Sequence, residues 1–159
     1  MDRFSTIIAN LYQQYQIPRV FPVPLINIAK ALGYTVFNLT ITDQTKYISG
    51  AVLYDQRQIL LNPTETEARR NFTLAHEIGH IILGGPQQAG RIIDTRNDIL
   101  RPSMNTREWD ANEFAAELLM PAPKVIQLWQ QTHSIVALAD FFNTSTSATI
   151  VRLERVGML

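Results

Sequence analysis

The chemistry in this chain is concentrated in His76-Glu77-Ile78-Gly79-His80, an H-E-x-x-H pattern that uses two of only three histidines in 159 residues. Residues four apart fall on one face of an α-helix, so two imidazoles at this spacing converge on a common point. There they can hold Zn2+ at about 2.0–2.1 Å. Glu77 lies about 100° further round the helix and borders the same face, within reach of a water at the metal. A catalytic zinc needs a third protein ligand and one open position. The chain has no cysteine, which excludes a disulfide scaffold, a thiolate metal cage and a cysteine nucleophile. Any metal must therefore be held by histidine and carboxylate.

The next concentration of carboxylates is Glu108, Asp110, Glu113 and Glu117, in a segment that reads as a helix beginning at Thr106. At 100° per residue, Ala111, Asn112, Ala115 and Leu119 share the face of Glu108, while Asp110, Glu113 and Glu117 fall on the far side. Ala111 and Ala115 let this helix approach the His76–His80 helix closely, so Glu108 is the expected third ligand. Asn112, one turn on, is placed to hydrogen-bond a ligand from outside the metal's own ligand set. Asp110, Glu113 and Glu117 read as a solvated face. His133 precedes an apolar helix and reads as a cap or surface residue. Tyr47 and Tyr54 can in principle donate to a tetrahedral oxyanion, but nothing in the sequence selects either, and packing on a strand face accounts for both.

A helix must carry the H-E-x-x-H pattern for this argument to hold. Thr64 with Glu67 forms a T-x-x-E capping box that starts one, and Gly84-Gly85-Pro86 stops it after Leu83. Phe72, Leu74, Ile78, Ile81, Ile82 and Leu83 make it largely buried, and charged or paired polar groups on a buried helix require a reason. Upstream, Phe4, Ile7, Ile8, Leu11 and Tyr15 follow helical spacing, Pro18 to Pro24 is a stiff connector, and Leu25 to Leu32 is a second helix ended by Gly33. Three β-rich stretches follow, Tyr34 to Ile41, Ile48 to Tyr54 and Gln58 to Leu61, with Asp55-Gln56-Arg57 short enough for a hairpin. Gln87 to Asn105 shows no period and is expected to be a loop bordering the cleft. After the helix from Thr106 to Met120, ended by Pro121 and Pro123, come helices at Lys124 to Gln131, Ile135 to Phe142 and Ser145 to Val156. The expected fold is α+β: one domain over 1–159, with a small three-stranded sheet against the motif helix and a helical tail over 122–159.

Composition narrows the function classes. With 14 Lys+Arg against 14 Asp+Glu and 46% hydrophobic residues, the chain reads as one soluble globular domain with no long-range pull toward nucleic acid or anionic membrane. No apolar stretch approaches the ~18 residues of a membrane span. The start has no basic cluster followed by a sustained apolar segment, so no signal peptide is expected and the cytoplasm is the expected compartment. Leu138 to Ser145 followed by Arg152-Leu153 is similar to a helix-turn-helix. The segment from Ala122 to Leu159, however, has only Lys124, Arg152 and Arg155 against Asp140 and Glu154. That is few cations for phosphate contacts, so packing or partner docking is the favoured role for the tail.

The runs Phe72-Thr73-Leu74-Ala75-His76-Glu77-Ile78-Gly79-His80 and Glu108-Trp109-Asp110-Ala111-Asn112-Glu113-Phe114-Ala115-Ala116-Glu117-Leu118-Leu119-Met120-Pro121 resemble the ImmA/IrrE metallopeptidase family. The resemblance implies a compact zincin-like fold, His76, His80 and the Glu108 position as zinc ligands, and Glu77 as catalytic base. It also implies a protein substrate, since members often act on helix-turn-helix repressors of phage, mobile-element or stress circuits. The family commonly has a further histidine shortly after the motif helix, where this chain has Gly84-Gly85; that departure touches substrate contacts and leaves the metal ligands intact. Two other readings stay open at this point: a DNA-binding regulator acting through the C-terminal helices, and a metal-bearing binding protein without catalysis.

Overall fold

The computed structural model describes residues 2–85, 87–100 and 105–159. The chain divides into two compact units, Leu25–Ala115, and Met1–Pro24 together with Ala116–Leu159.

The unit Leu25–Ala115 is built on a sheet. Helix α2 (Leu25–Ala31) leads into β1 (Thr35–Asn38), and β2 (Ile48–Leu53) and β3 (Gln58–Leu61) form the expected hairpin. Its turn places Arg57 in the left-handed region at φ 52°. Among the described residues the sheet has four strands in the order β1-β3-β2-β4, with β1 parallel to β3 and the other pairs antiparallel. Its fourth strand, β4 (Arg91–Thr95), and the short helix α4 (Arg96–Leu100) come from the stretch expected to be a loop. The sequence hides β4 because only five residues alternate, Ile92 and Asp94 inward and Arg91 and Ile93 outward, and one inward position carries a charge. Pro86 and residues 101–104 of the expected turn and loop lie outside the described residues.

Helix α3 (Glu67–Gly84) packs on β2 and β3. Its cap is Thr66, whose hydroxyl accepts from the Arg69 amide, and not Thr64. Thr64 is held instead by Asn62, whose side-chain oxygen accepts from the Thr64 amide at 2.9 Å and hydroxyl at 2.6 Å. That Asx-type turn satisfies Thr64 before the helix begins. Gly85, at φ 75°, ends the helix in a conformation other residues rarely adopt. Ile28, Val52, Ile59, Ala75 and Ile78 are fully buried in this unit. Helix α5 (Thr106–Leu119) begins in this unit.

The second unit holds α1 (Arg3–Tyr15), the last residues of α5, α6 (Ala122–Thr132), α7 (Ile135–Phe142) and α8 (Thr146–Arg155). Its core includes Leu11, Leu118, Leu138, Phe142 and Leu153. Here the expected solvated face of α5 fails at Glu117, which is buried and ion-paired to Arg152. Ser5 Oγ donates to Glu117 Oε1 at 3.1 Å, and Arg152 Nε donates to the Met120 carbonyl at 2.8 Å. His133 caps α6 in the left-handed region and is exposed. Among the described residues no helix is long and apolar enough to cross a membrane.

Candidate metal centre

Two close approaches assemble this site. A Cβ at Gly50 of β2 would stand 2.6 Å from Thr73 Cγ2 and 2.7 Å from Glu77 Oε1, so glycine is what admits the Glu77 carboxylate against the strand. A Cβ at Gly79 would stand 3.1–3.3 Å from the Phe114 ring and the Ala111 backbone, so glycine facing alanine brings α5 against α3. The small residues at these crossings set how near the polar side chains come.

His76, His80, Asp94 and Glu108 meet between α3, β4 and α5, at 0%, 2%, 1% and 5% exposure. Glu108 Oε2 lies 3.0 Å from His76 Nε2 and 3.3 Å from His80 Nε2. Asp94 Oδ2 lies 3.4 Å and 3.1 Å from the same two nitrogens. The imidazole rings are nearly perpendicular, at 87° with centroids 4.6 Å apart, so the two Nε2 atoms address one point from different directions. One ligand atom from each of the four residues falls within 4.8 Å of all the others. A tetrahedron with arms of about 2.0–2.1 Å has edges of about 3.3–3.4 Å, and the four N···O separations of 3.0–3.4 Å are close to that. Nitrogen and carboxylate oxygen are donors suited to zinc. The set fits a divalent cation.

Asn112 supports the set from α5. Its Nδ2 donates to the Ile99 carbonyl at 2.6 Å, which leaves Oδ1, 2.6 Å from His76 Nδ1, as an acceptor. His76 therefore carries its proton on Nδ1 and presents the Nε2 lone pair to the cluster when neutral. His80 Nδ1 and both carboxylate oxygens of Glu77 are buried without a hydrogen-bond partner among the described residues.

The electrostatics follow from packing two carboxylates against two imidazoles out of water. Burial opposes charge on His76, yet the hydrogen bonds to Asp94 and Glu108 outweigh it and lift its pKa to about 10; His80 is raised for the same reasons. Burial pushes Asp94 and Glu108 up, but the two imidazoles hold both below the ordinary carboxylate range. Glu77 goes the other way, raised well above that range by complete burial and then by the Asp94 charge.

His76, His80 and Glu108 are thus brought together, Glu77 stands on the same helix with its oxygens uncommitted, and Asn112 contacts His76. Asp110 and Glu113 are half-buried and outside the cluster. No local pattern in the sequence marks Asp94, because none marks its five-residue strand. The two tyrosines separate: Tyr47 is 69% exposed, whereas Tyr54 is buried with its hydroxyl unpartnered among the described residues. Burial, then the neighbouring Tyr34 and the Glu77 charge, pushes the Tyr54 phenol up to about 12.

The IrrE N-terminal-like domain of peptidase family M78 matches residues 29–154. No curated protein matches the chain in sequence. Among solved structures, a Mycobacterium tuberculosis transcriptional regulator has a similar fold, with a TM-score of 0.67 at 15% identity over 97% of this chain. The chain spans 47% of that protein's length. With the family model covering most of its length, including the H-E-x-x-H helix and the α5 carboxylate, the chain belongs to the IrrE N-terminal-like family of M78 peptidases.

Proposed function

We propose that this chain is a zinc-dependent endopeptidase that acts in the cytoplasm on a protein partner, a helix-turn-helix transcriptional repressor of a phage, mobile element or stress circuit. His76, His80 and Glu108 hold the metal, Glu77 is the general base, and Asn112 orients His76. The observation that carries the reading is the convergence of both Nε2 atoms on Glu108 Oε2 at 3.0 and 3.3 Å, beside a buried Glu77 whose oxygens make no hydrogen bond among the described residues. Zinc held there supplies Lewis acidity, polarising the scissile carbonyl and lowering the pKa of the attacking water toward ~7. With a cation held by the histidines, the Glu77 carboxyl returns to its ionised form, in which it accepts the proton of the attacking water and delivers it to the leaving amine. Asn112 keeps the His76 ring in the tautomer that presents Nε2.

The repressor as substrate rests on the family resemblance. It is in keeping with a similar fold occurring in a protein described as a transcriptional regulator. The competing DNA-binding reading loses one of its few tail cations, since Arg152 is buried against Glu117 and the Met120 carbonyl. The test mixes zinc-loaded wild type and Glu77→Gln with a repressor encoded beside the gene. Wild type should yield a discrete fragment, and Glu77→Gln should keep its zinc and fold while losing at least ~10²–10⁴-fold in rate. An active Glu77→Gln enzyme overturns the mechanism. Zinc binding without cleavage of any partner supports the non-catalytic alternative.

A further inference from the structure

Asp94 has no part in the mechanism above, yet its Oδ2 stands 3.4 and 3.1 Å from the Nε2 atoms of His76 and His80. Three protein ligands and a free vertex are what a zinc hydrolase needs, whereas four protein ligands make a closed site. We propose that Asp94 is a fourth ligand that closes the zinc site in the resting chain, and that peptide hydrolysis requires β4 to withdraw it. The proposal rests on the metallopeptidase reading and adds its regulation.

The geometry treats Asp94 and Glu108 alike. Each presents one carboxylate oxygen to both Nε2 atoms, at 3.1 and 3.4 Å for Asp94 and at 3.0 and 3.3 Å for Glu108. All four N···O separations fall between 3.0 and 3.4 Å, so nothing in the distances to the histidines marks one carboxylate as ligand and the other as bystander. At 1% exposure, Asp94 has no solvent to return to without a movement of its strand.

The strand is suited to such a movement. The histidines and Glu108 stand on helices of 18 and 14 residues, while β4 has five residues at the edge of the sheet and, among the described residues, pairs only with β2. That ladder is irregular beside Asp94, because the register shifts between the pairs Ile48↔Thr95 and Gly50↔Asp94. Gly90, at φ 77°, precedes the strand with open space around its Cβ position. At the other end, the Thr95 amide donates to Asp98 Oδ2 at 2.7 Å, so β4 and α4 are tied and would leave together. For Asp94 to withdraw, this short edge element with its one interrupted ladder must open at lower free energy than the helices behind it, releasing the hydrogen bond from the Tyr54 amide to the Gly90 carbonyl at 2.9 Å.

The experiment compares wild type, Asp94→Ala, Asp94→Asn and His76→Ala, each loaded with Zn2+ or Co2+ and titrated with acetohydroxamate, a chelating probe that needs open coordination positions. Wild type should show the intense visible bands of four-coordinate Co2+ and resist the probe. Asp94→Ala and the near-isosteric Asp94→Asn should bind Zn2+ more weakly, by at least the roughly 10–100-fold that losing a residue outside the ligand set costs, show altered Co2+ bands and accept the probe. Thermal denaturation of the metal-free variants checks that each folds, and Asp94→Asn keeps the test intact if Asp94→Ala does not. Equal zinc affinity and equal probe binding in wild type and both Asp94 variants, with metal lost only in His76→Ala, would overturn the closed site and leave the peptidase reading standing. Failure of wild type to bind either metal would overturn both.

Discussion

Two groups of charged side chains are buried in this chain on different terms. In the unit of Met1–Pro24 and Ala116–Leu159, Glu117 and Arg152 pair with each other, and their neighbours complete them: Ser5 donates to the carboxylate, and the Met120 carbonyl accepts from the guanidinium. In Leu25–Ala115, the set around His76 and His80 leaves His80 Nδ1 and both Glu77 oxygens without partners among the described residues. The first group compensates its own desolvation, so its work is structural. The second carries buried polar atoms that the protein does not satisfy, a cost of roughly 1–3 kcal/mol each. A fold retains such a cost where the atoms serve something that binds or reacts there. Metal should therefore affect the second group and leave the first untouched.

The largest expected effect breaks the compensated pair. Glu117→Ala leaves the Arg152 charge buried without its carboxylate and should destabilise the protein by about 3–5 kcal/mol, by the same amount with or without zinc, measured by urea denaturation. Next comes the metal itself. Zinc at a hundred times its Kd should add about 2.7 kcal/mol of stability to wild type, to Glu117→Ala and to Glu113→Ala, and nothing to His76→Ala. A zinc response that vanishes in Glu113→Ala and survives in Glu108→Ala would mean that the cluster is not the binding site. Smaller again is Asn112→Ala, which removes the acceptor for His76 Nδ1. It should weaken zinc binding by about 10–100-fold and, because it strands Nδ1 of the fully buried His76, cost the metal-free protein roughly 1–3 kcal/mol, as read by calorimetric titration beside thermal denaturation.

How much of this was legible depends on how many neighbours each residue has. The α3 helix and its polar face follow from spacing alone, because a helix of 18 residues repeats its pattern several times. Glu108 follows from the helix face it shares with Ala111 and Ala115, both fully buried. Glu117 escapes the helix-face rule, which assumes a helix with one buried side. Phe114 and Leu118, away from the Glu108 face, are as buried as Ala111, so α5 has no broad solvated side. Asp94 was illegible for a different reason. Five residues give too short an alternation, and an inward charge breaks the apolar pattern by which strands are recognised, although it is the charge that gives the residue its interest. The sheet pairing that delivers Asp94 to the histidines joins residues more than forty apart in sequence, Gly50 with Asp94, and no local pattern reports it.

The smallest predicted effect sharpens the contrast most. If the Glu117–Arg152 pair is purely structural, apolar residues of similar volume can replace both partners together. Glu117→Leu with Arg152→Met removes two buried charges, a change that is often neutral or stabilising. It also strands the Met120 carbonyl, which accepts from Arg152 Nε at 2.8 Å, at a cost of roughly 1–3 kcal/mol. The two terms oppose, so the double variant should lie within about 1 kcal/mol of wild type, far above Glu117→Ala, with zinc affinity unaltered. An apolar exchange within the other group, His76→Leu with Glu108→Leu, should keep the fold and lose the metal altogether. If the Glu117–Arg152 double variant instead loses zinc, or the cluster double variant still binds it, the division into one self-compensating group and one built for a ligand is wrong. Metal content and urea midpoint, measured on the same four preparations, decide between these outcomes.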